Sequence, residues 1–481
     1  MKSVAILLVT ERSVHPNLLP VIQHLAPVEM WCISHSEQQS PKECHWSPTV
    51  EAAIHLINAE VLLFLNGDGS YSLRELSLFL NSICYGQCDI TCNRLKSATS
   101  LDVWASVYYE WTSLPFLPIS PYLDFPVACT RELAQTVADR IIDNPLSVFR
   151  QVVALNYRIH HYHHVSYEKP FIPAFYSAFG SMLTYEEKRK LTHLLAFLQE
   201  RLYKKGKRGG YSDGGRLLQV HEQGAYSVRE GIYKKGESYY GDQKLSVIIP
   251  VKNEQGTIQQ VIREVKKLCP YEIIVVVNGS TDQTYSLAAK EEVTVVKYEH
   301  ALGHDVGRSI GIKYATGDIL LFVDGDFLVL AQDLFPFVKA VESGVDMALN
   351  DLKLSSNVSH PVTSIKQIFN LFINHKHLGI SSLTAVPHAM NRRILKYCRE
   401  EDFMVPPLAQ AIAAKNGFHI EAVHSVDINP LNRIRPGENQ VADGLARTGE
   451  LIIGDYIEAF HHLLTEGWDQ SSTHFYRKRY F

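Results

Sequence analysis

Nowhere in the 481 residues does an apolar run reach the ~18 residues that a membrane-spanning helix needs. The start also lacks a basic stretch followed by an apolar segment and a small-residue cleavage site, so no secretory signal is expected and a cytoplasmic location is. An excess of either charge is missing too. The 47 Lys and Arg stand against 51 Asp and Glu, a formal net charge of −4, which removes the usual electrostatic case for nucleic-acid binding. The eight cysteines (32, 44, 84, 88, 92, 129, 269 and 398) are scattered and form no C-x-x-C pair. That pattern argues against a disulfide framework and a zinc site, and for reduced thiols. His160, His161, His163 and His164 lack close acidic or cysteine partners and read as a strand carrying surface and core histidines.

What is there begins with ordinary globular composition, 46% hydrophobic and 20% charged, in a chain longer than one core comfortably supports. Two or three domains are expected. The most informative segment is the apolar run Ile319-Leu320-Leu321-Phe322-Val323 followed by Asp324-Gly325-Asp326. Two carboxylates one residue apart at a strand end can hold Mg²⁺ or Mn²⁺ against a diphosphate, because these ions take hard oxygen ligands and keep positions open for phosphate. Upstream, Leu245 to Val251 reads as a buried strand running into Lys252-Asn253-Glu254. Thr257 to Leu268 has helical spacing of Ile258, Val261, Ile262 and Val265. A second strand, Glu272 to Val277, opens into Asn278-Gly279-Ser280-Thr281-Asp282. Then Gly303-His304-Asp305-Val306-Gly307-Arg308 leads through a short helix to the acidic pair. Strands alternating with helices predict a mostly parallel sheet, with all three polar turns beyond the carboxyl ends of its strands.

These motifs and their order resemble the nucleotide-sugar half of a family 2 glycosyltransferase of GT-A fold, over residues 244 to about 349. The resemblance implies a nucleotide-sugar donor, most simply a UDP-hexose, and a Mg²⁺ or Mn²⁺ cofactor. It places Pro250, Val251, Asn253, Glu254, Asn278, Ser280, Asp282, Gly303, His304, Arg308, Asp324 and Gly325 against the donor, with Asp324 and Asp326 on the metal. Asn278 stands where the family usually carries an acid. Either side chain offers an acceptor to an imide N–H, so Asn278→Asp is expected to be tolerated.

The unit recurs. Val61-Leu62-Leu63-Phe64-Leu65-Asn66-Gly67-Asp68 echoes the third strand and its acidic turn, Pro126-Val127-Ala128 answers Pro387-His388-Ala389, and His164 answers His424. Ser3 to Val9 aligns with Ser246 onward. The first copy has Asn66 in place of the first carboxylate and no counterpart of the Asn278 to Asp282 turn. The expected architecture is therefore α/β, with two tandem GT-A-like domains of Rossmann-like, mostly parallel sheet: a degenerate one over 1–202, a basic, Gly- and Tyr-rich linker over 203–243, and a catalytic one over 244–481.

Glu401 and Asp402, ahead of a helix over Leu408 to Lys415, resemble the family's acidic base, although Pro406 and Pro407 interrupt the usual pattern. His424, at a strand end, resembles a third metal ligand. Asn429 to Arg435 suits an anionic acceptor. Lys204, Lys205, Lys207 and Arg208 form a basic cluster that reads first as a solvated face. The tail Phe475 to Phe481 mixes bases and aromatics, which suits a peripheral membrane contact or a homodimer contact. The acceptor is not specified, though cell-envelope glycan synthesis fits. A sugar-nucleotide-binding scaffold is the alternative. A nucleotidyltransferase is disfavoured, since Pro250-Val251-Lys252-Asn253-Glu254 replaces a Gly-rich phosphate loop.

Overall fold

Two aliphatic strands, Val4–Val9 and Leu245–Val251, lie inside two separate sheets in this computed structural model. It describes residues 2–9, 14–34, 40–67, 70–93, 104, 107, 125–137, 145–162, 165, 167–168, 185–217, 227–231, 240–353, 360–427 and 446–465. The chain divides into two compact units, Met1–Phe197 and Leu198–Phe481. Residues 203–217, expected to act as linker, belong to the second unit. Asp68, His163, His164, Asn429 to Arg435 and the tail Phe475 to Phe481 lie outside the described residues. Among the described residues no helix is long and apolar enough to cross a membrane.

The strands of the first unit are β1 (Val4–Val9), β2 (Glu29–Ile33), β3 (His45–Ser47), β4 (Val61–Asn66), β5 (Ser70–Tyr71), β6 (Ile90–Asn93), β7 (Val127–Thr130), β8 (Ile159–Tyr162) and β9 (Tyr167–Glu168). Apart from the small β5-β9 pair, they form one sheet ordered β3-β2-β1-β4-β7-β6-β8. The second unit contributes β10 (Ser227–Arg229), β11 (Leu245–Val251), β12 (Glu272–Asn278), β13 (Thr294–Tyr298), β14 (Ile319–Phe322), β15 (Met347–Asn350), β16 (His388–Asn391) and β17 (Ile420–His424). Their order is β10-β13-β12-β11-β14-β16-β15-β17. Without β10, both sheets connect their strands in the same way. Both are mostly parallel, with one antiparallel strand (β7 or β16) and, in the second sheet, an antiparallel β10 at the edge. The central strands are apolar on both faces because helices cover both, as parallel pairing requires.

Individual hydrogen bonds repeat as well. Asn93 donates through Nδ2 to the Phe125 and Val165 carbonyls and accepts from Val165 N–H; Asn350 does the same with Val386 and Val426. Asp89 and Asp346 each accept, through their carboxylates, from the backbone N–H at the start of the last strand of their sheet, Arg158 and His419. Pairing also corrects the alignment of the first strands. Val4 stands opposite Val61 and Leu245 opposite Ile319, so the counterpart of Val4 is Leu245, two residues before the position assigned from sequence. A slip of two preserves which face each side chain takes, which is why pattern alone did not detect it.

The copies differ where the sequence is shorter. Between β12 and β13 the second unit carries the helix Thr284–Ala289, and no helix stands between β2 and β3 among the described residues. The helix expected over Thr257 to Leu268 spans Ile258–Lys266 and buries Ile258, Val261, Ile262 and Val265. His160 and His161 lie on β8 as expected. The helix expected over Leu408 to Lys415 begins two residues earlier, with Pro406 and Pro407 in its first turn, where a missing N–H costs nothing.

If the shared asparagine strut is what fixes the strand order, Asn93→Ala and Asn350→Ala should each lower stability by roughly 2–4 kcal/mol, because one donor and two acceptors lose their partner. Urea unfolding of the full chain measures this, and a loss under ~0.5 kcal/mol at either position would contradict it.

Candidate active site

Asn253 turns the chain at the end of β11 with a positive φ of 57°. Its N–H donates to Ser280 Oγ (3.0 Å), and its Oδ1 accepts from Thr281 N–H (2.8 Å). Glu254 N–H donates to Thr284 Oγ1 (2.8 Å) and Gln255 N–H to Asp282 Oδ2 (3.2 Å). The turns after β11 and β12 are thereby sewn into one rim. Burial alone would raise the Asp282 carboxyl, but hydrogen bonds from the Thr284 hydroxyl and N–H outweigh it and hold the group below the usual carboxylate range.

The third turn closes on the first. A Cβ on Gly325 would come within 2.2 Å of Val251 Cγ1, so no side chain fits between Asp324 and Asp326. Thr257 Oγ1 donates to the Gly325 carbonyl (2.6 Å). Arg308 Nη2 reaches Asp324 Oδ1 at 3.0 Å, and its Nη1 pairs with Asp305. Asp305 has φ 60° and precedes the helix Val306–Tyr314; its other oxygen meets His304 Nδ1 at 3.0 Å. Burial would raise the Asp305 carboxyl, yet His304, Arg308 and Arg216 together pull it down. Asp324, Arg308 and Asp305 thus form a continuous charge chain under the rim.

Against this chain stands His388. It lies opposite Phe322 in the β14-β16 pairing, stacks on that ring at 4.8 Å and makes a hydrogen bond from Nδ1 to the Ala385 carbonyl (2.8 Å). Burial, then the Arg308 charge, push the imidazole down to about 3, so it is neutral at physiological pH.

Asn278, expected to read the base, has both ends of its amide in use. Oδ1 accepts from Leu302 N–H (2.6 Å), and Nδ2 donates to the Gly303 carbonyl (3.1 Å). In this structure Asn278 is a strut for the loop that carries Gly303, His304 and Asp305. An acid there would face a carbonyl, which argues against the expected tolerance of Asn278→Asp.

Among the described residues, no three His, Cys, Asp or Glu side chains converge as a metal-binding group. His424 does not join the acidic pair; its Nε2 faces Asp333 (3.5 Å) and its ring packs edge-on against Phe337. Asp324 and Asp326 still suit a divalent cation, being hard carboxylate oxygens on one tight turn, each partly open to solvent. Asp402 is buried in the 3-10 helix Glu400–Met404, where it accepts from Arg399 N–H (2.8 Å) and Arg399 Nη2 (3.2 Å). Glu401 is half-buried beside it. This short helix packs on Val306–Tyr314, with Ser309 Oγ donating to the Glu400 carbonyl (2.7 Å). Sequence reading passed over Asp305 and His388. The position of Asp305, immediately before a helix and three residues before Arg308, was a signal for the first; nothing in the pattern marked the second.

Two predictions follow from these contacts. Asn278→Asp should cost about 1–3 kcal/mol at pH 7, through a lost donor and oxygen–oxygen repulsion across the Gly303 contact. Thermal melts of the two proteins check this, and an unchanged Tm would contradict it. Because the His388 imidazole stays neutral when folded but takes up a proton near pH 6.5 when unfolded, the unfolded state binds more protons between about 3 and 6.5. Stability should therefore fall as pH drops through that window, by up to ~1.4 kcal/mol per pH unit from this group. In His388→Asn, which keeps a donor for Ala385, the fall should be shallower; parallel pH curves would contradict the assignment.

With this geometry established, residues 246–394 match the family described as Glycosyl transferase family 2. A curated relative from Serratia proteamaculans (strain 568), undecaprenyl-phosphate 4-deoxy-4-formamido-L-arabinose transferase, is 27% identical over 200 residues, covering 38% of this chain and 60% of the relative. Its namesake from Proteus mirabilis (strain HI4320) is 24% identical, again over 38% of this chain and 60% of the relative. The chain thus spans about three fifths of the length of these relatives. Among solved structures, mannosyl-3-phosphoglycerate synthase from Rubrobacter xylanophilus is 18% identical, with a TM-score of 0.37, covering 47% of this chain and 76% of that one. Glucosyl-3-phosphoglycerate synthase from Mycobacterium tuberculosis, solved with Mn²⁺, UDP and phosphoglyceric acid, is 20% identical, with a TM-score of 0.30, over 39% of this chain and 73% of that one.

Proposed function

We propose that the second unit, whose residues 246–394 match the family described as Glycosyl transferase family 2, transfers a hexose from a nucleotide sugar, a UDP-hexose first, to an acceptor oxygen. The observation that carries this reading is the Asp324-Gly325-Asp326 turn, set on the end of β11 beside the stitched rim of Asn253, Ser280 and Asp282. Asp324 and Asp326 would hold Mg²⁺ or Mn²⁺. Such an ion, when bound, takes up negative charge on a departing nucleoside diphosphate. Arg308 keeps Asp324 fixed and supplies buried positive charge at the same point. The rim built from Pro250, Val251, Asn253, Glu254, Ser280 and Asp282 forms the wall for the nucleoside.

For an inverting transfer to a hydroxyl acceptor a carboxylate must take the acceptor proton. Asp402 already caps its own turn through Arg399, so Glu401 is the better base of the pair. Lipid-phosphate acceptors belong in the test because the named relatives are undecaprenyl-phosphate transferases. The first unit keeps the sheet but replaces the first acid by Asn66, and we read it as non-catalytic.

The test is donor turnover by purified full chain with Mn²⁺, following UDP release from UDP-hexoses with and without hydroxylated and polyprenyl-phosphate acceptors. Asp326→Ala should lower turnover about a thousandfold or more while leaving the Tm near wild type, and Asp68→Ala should stay within a few-fold. Equal losses at the two positions would mean two working centres. Glu401→Gln should lower kcat, whereas Asp402→Asn should chiefly lower the Tm. A wild-type protein that releases no nucleoside diphosphate from any donor would favour the scaffold reading.

A further inference from the structure

Two segments outside residues 246–394 meet behind the loop Leu302–Asp305. One is the strand-free stretch 207–217. The other is the helix Arg447–Thr465, held on the helix Pro361–Phe372 by the ring contacts Phe369–Tyr456, Phe369–Phe460 and Phe372–Phe460, each at 5.1 Å. The helix presents Asp455 and Glu458, three residues apart and so on one face, to two buried arginines. Arg208 Nη1 reaches Asp455 Oδ1 at 2.6 Å and Glu458 Oε2 at 2.8 Å. Arg216 takes the same two acids, Nη2 to Asp455 Oδ1 at 2.5 Å and Nη1 to Glu458 Oε2 at 2.9 Å. The arginines differ in what else they touch. Arg208 spends its Nη2 on the Ser212 and Leu451 carbonyls. Arg216 lies against the site loop: a Cβ on Gly303 would stand 2.7 Å from Arg216 Cα, and the next residue, Leu217, donates its N–H to the Leu302 carbonyl (2.9 Å).

The loop is therefore gripped from two sides, by Asn278 through Leu302 N–H and the Gly303 carbonyl, and by Arg216 and Leu217 through the Leu302 carbonyl and the bare Gly303 α-carbon. Beyond it lies Asp305, whose carboxylate feels the Arg216 charge and pairs with Arg308, which in turn holds Asp324. We propose that Arg216 is a positioning residue of the donor site, holding the loop Leu302–Asp305 so that Asp305 keeps Arg308 on Asp324. The site is then incomplete without residues 207–217 and the carboxyl-terminal helix, neither of which falls within the family domain. This assignment rests on the glycosyltransferase reading only in calling the site a donor site.

Arg216→Lys keeps a cation but loses the fork that spans both acids. Arg208→Lys is the matched control, since it loses a fork on the same two acids while its side chain makes no contact with the loop. Both should lower the Tm. Only Arg216→Lys should speed amide hydrogen exchange across 302–308 in the ligand-free protein and weaken UDP binding in the presence of Mn²⁺ by about tenfold or more, read by calorimetry; Arg208→Lys should stay within twofold of wild type. Arg216→Gln, which keeps an amide for one of the two acids but no fork, should reproduce the Arg216→Lys result, and it carries the test if Arg216→Lys does not fold. Equal effects of the two lysine variants, or no change in exchange at 302–308 for Arg216→Lys and Arg216→Gln, would overturn the proposal. A wild-type chain that binds no UDP would overturn the donor-site assignment, and hydrogen exchange would still decide whether Arg216 holds the loop.

Discussion

The buried guanidinium of Arg308 is the contact on which the rest of the site depends. It lies between two carboxylates, Asp305, which is buried, and Asp324, which is partly open to solvent; the buried acid relies on it together with His304 and Arg216, because a buried carboxylate facing no cation is expensive. Arg308 in turn can be buried only because the helix that carries it packs on β11 and on the 3-10 turn Glu400–Met404. Sheet packing, charge pairing and the aim of Asp324 are one constraint. The same chain of charges runs on through Arg216 to the carboxyl-terminal helix, so distant parts of the second unit contribute to the geometry at its sheet edge.

The two sheets show what a shared architecture does and does not carry. Their strand order and asparagine struts coincide, down to the backbone groups that Asn93 and Asn350 bind. These features hold a sheet together. The parts that differ are those assigned to the ligand in the proposed function: the helix and turn between β12 and β13, and the acid at Asp324 where β4 ends in Asn66. A sheet needs neither, so the first unit can keep the strand order without them.

Much of this was legible in the sequence, for a physical reason. Runs such as Ile319 to Val323 can only be strands buried on both faces, and polar turns at their carboxyl ends must fall on one edge. The turns that carry Asn253, Ser280, Asp282, Asp324 and Gly325 were placed on one edge in that way, while the choice of these residues as donor contacts came from the family resemblance. What escaped were residues whose meaning lies in distant contacts. His388 is an imidazole in a strand until its stacking on Phe322 is seen. Arg208 read as part of a solvated basic cluster, yet its partners are 247 and 250 residues away. Asn278 stands at the expected strand end, but the partners its amide has in this structure, at 302–303, are backbone groups that pattern does not show. His424 was assigned by its position at a strand end, but its side chain faces Asp333.

On the proposed function, a divalent cation and a nucleoside diphosphate meet at the turn after β14. The most direct measurement is a crystal of the full chain soaked with UDP and Mn²⁺, with anomalous scattering used to place the metal. The account predicts one anomalous peak within ~2.3 Å of carboxylate oxygens of Asp324 and Asp326, with the diphosphate bound to it and the uridine along the rim formed by Asn253, Ser280 and Asp282. Anomalous density elsewhere on the second unit, or UDP bound with no metal at the acidic pair, would contradict it.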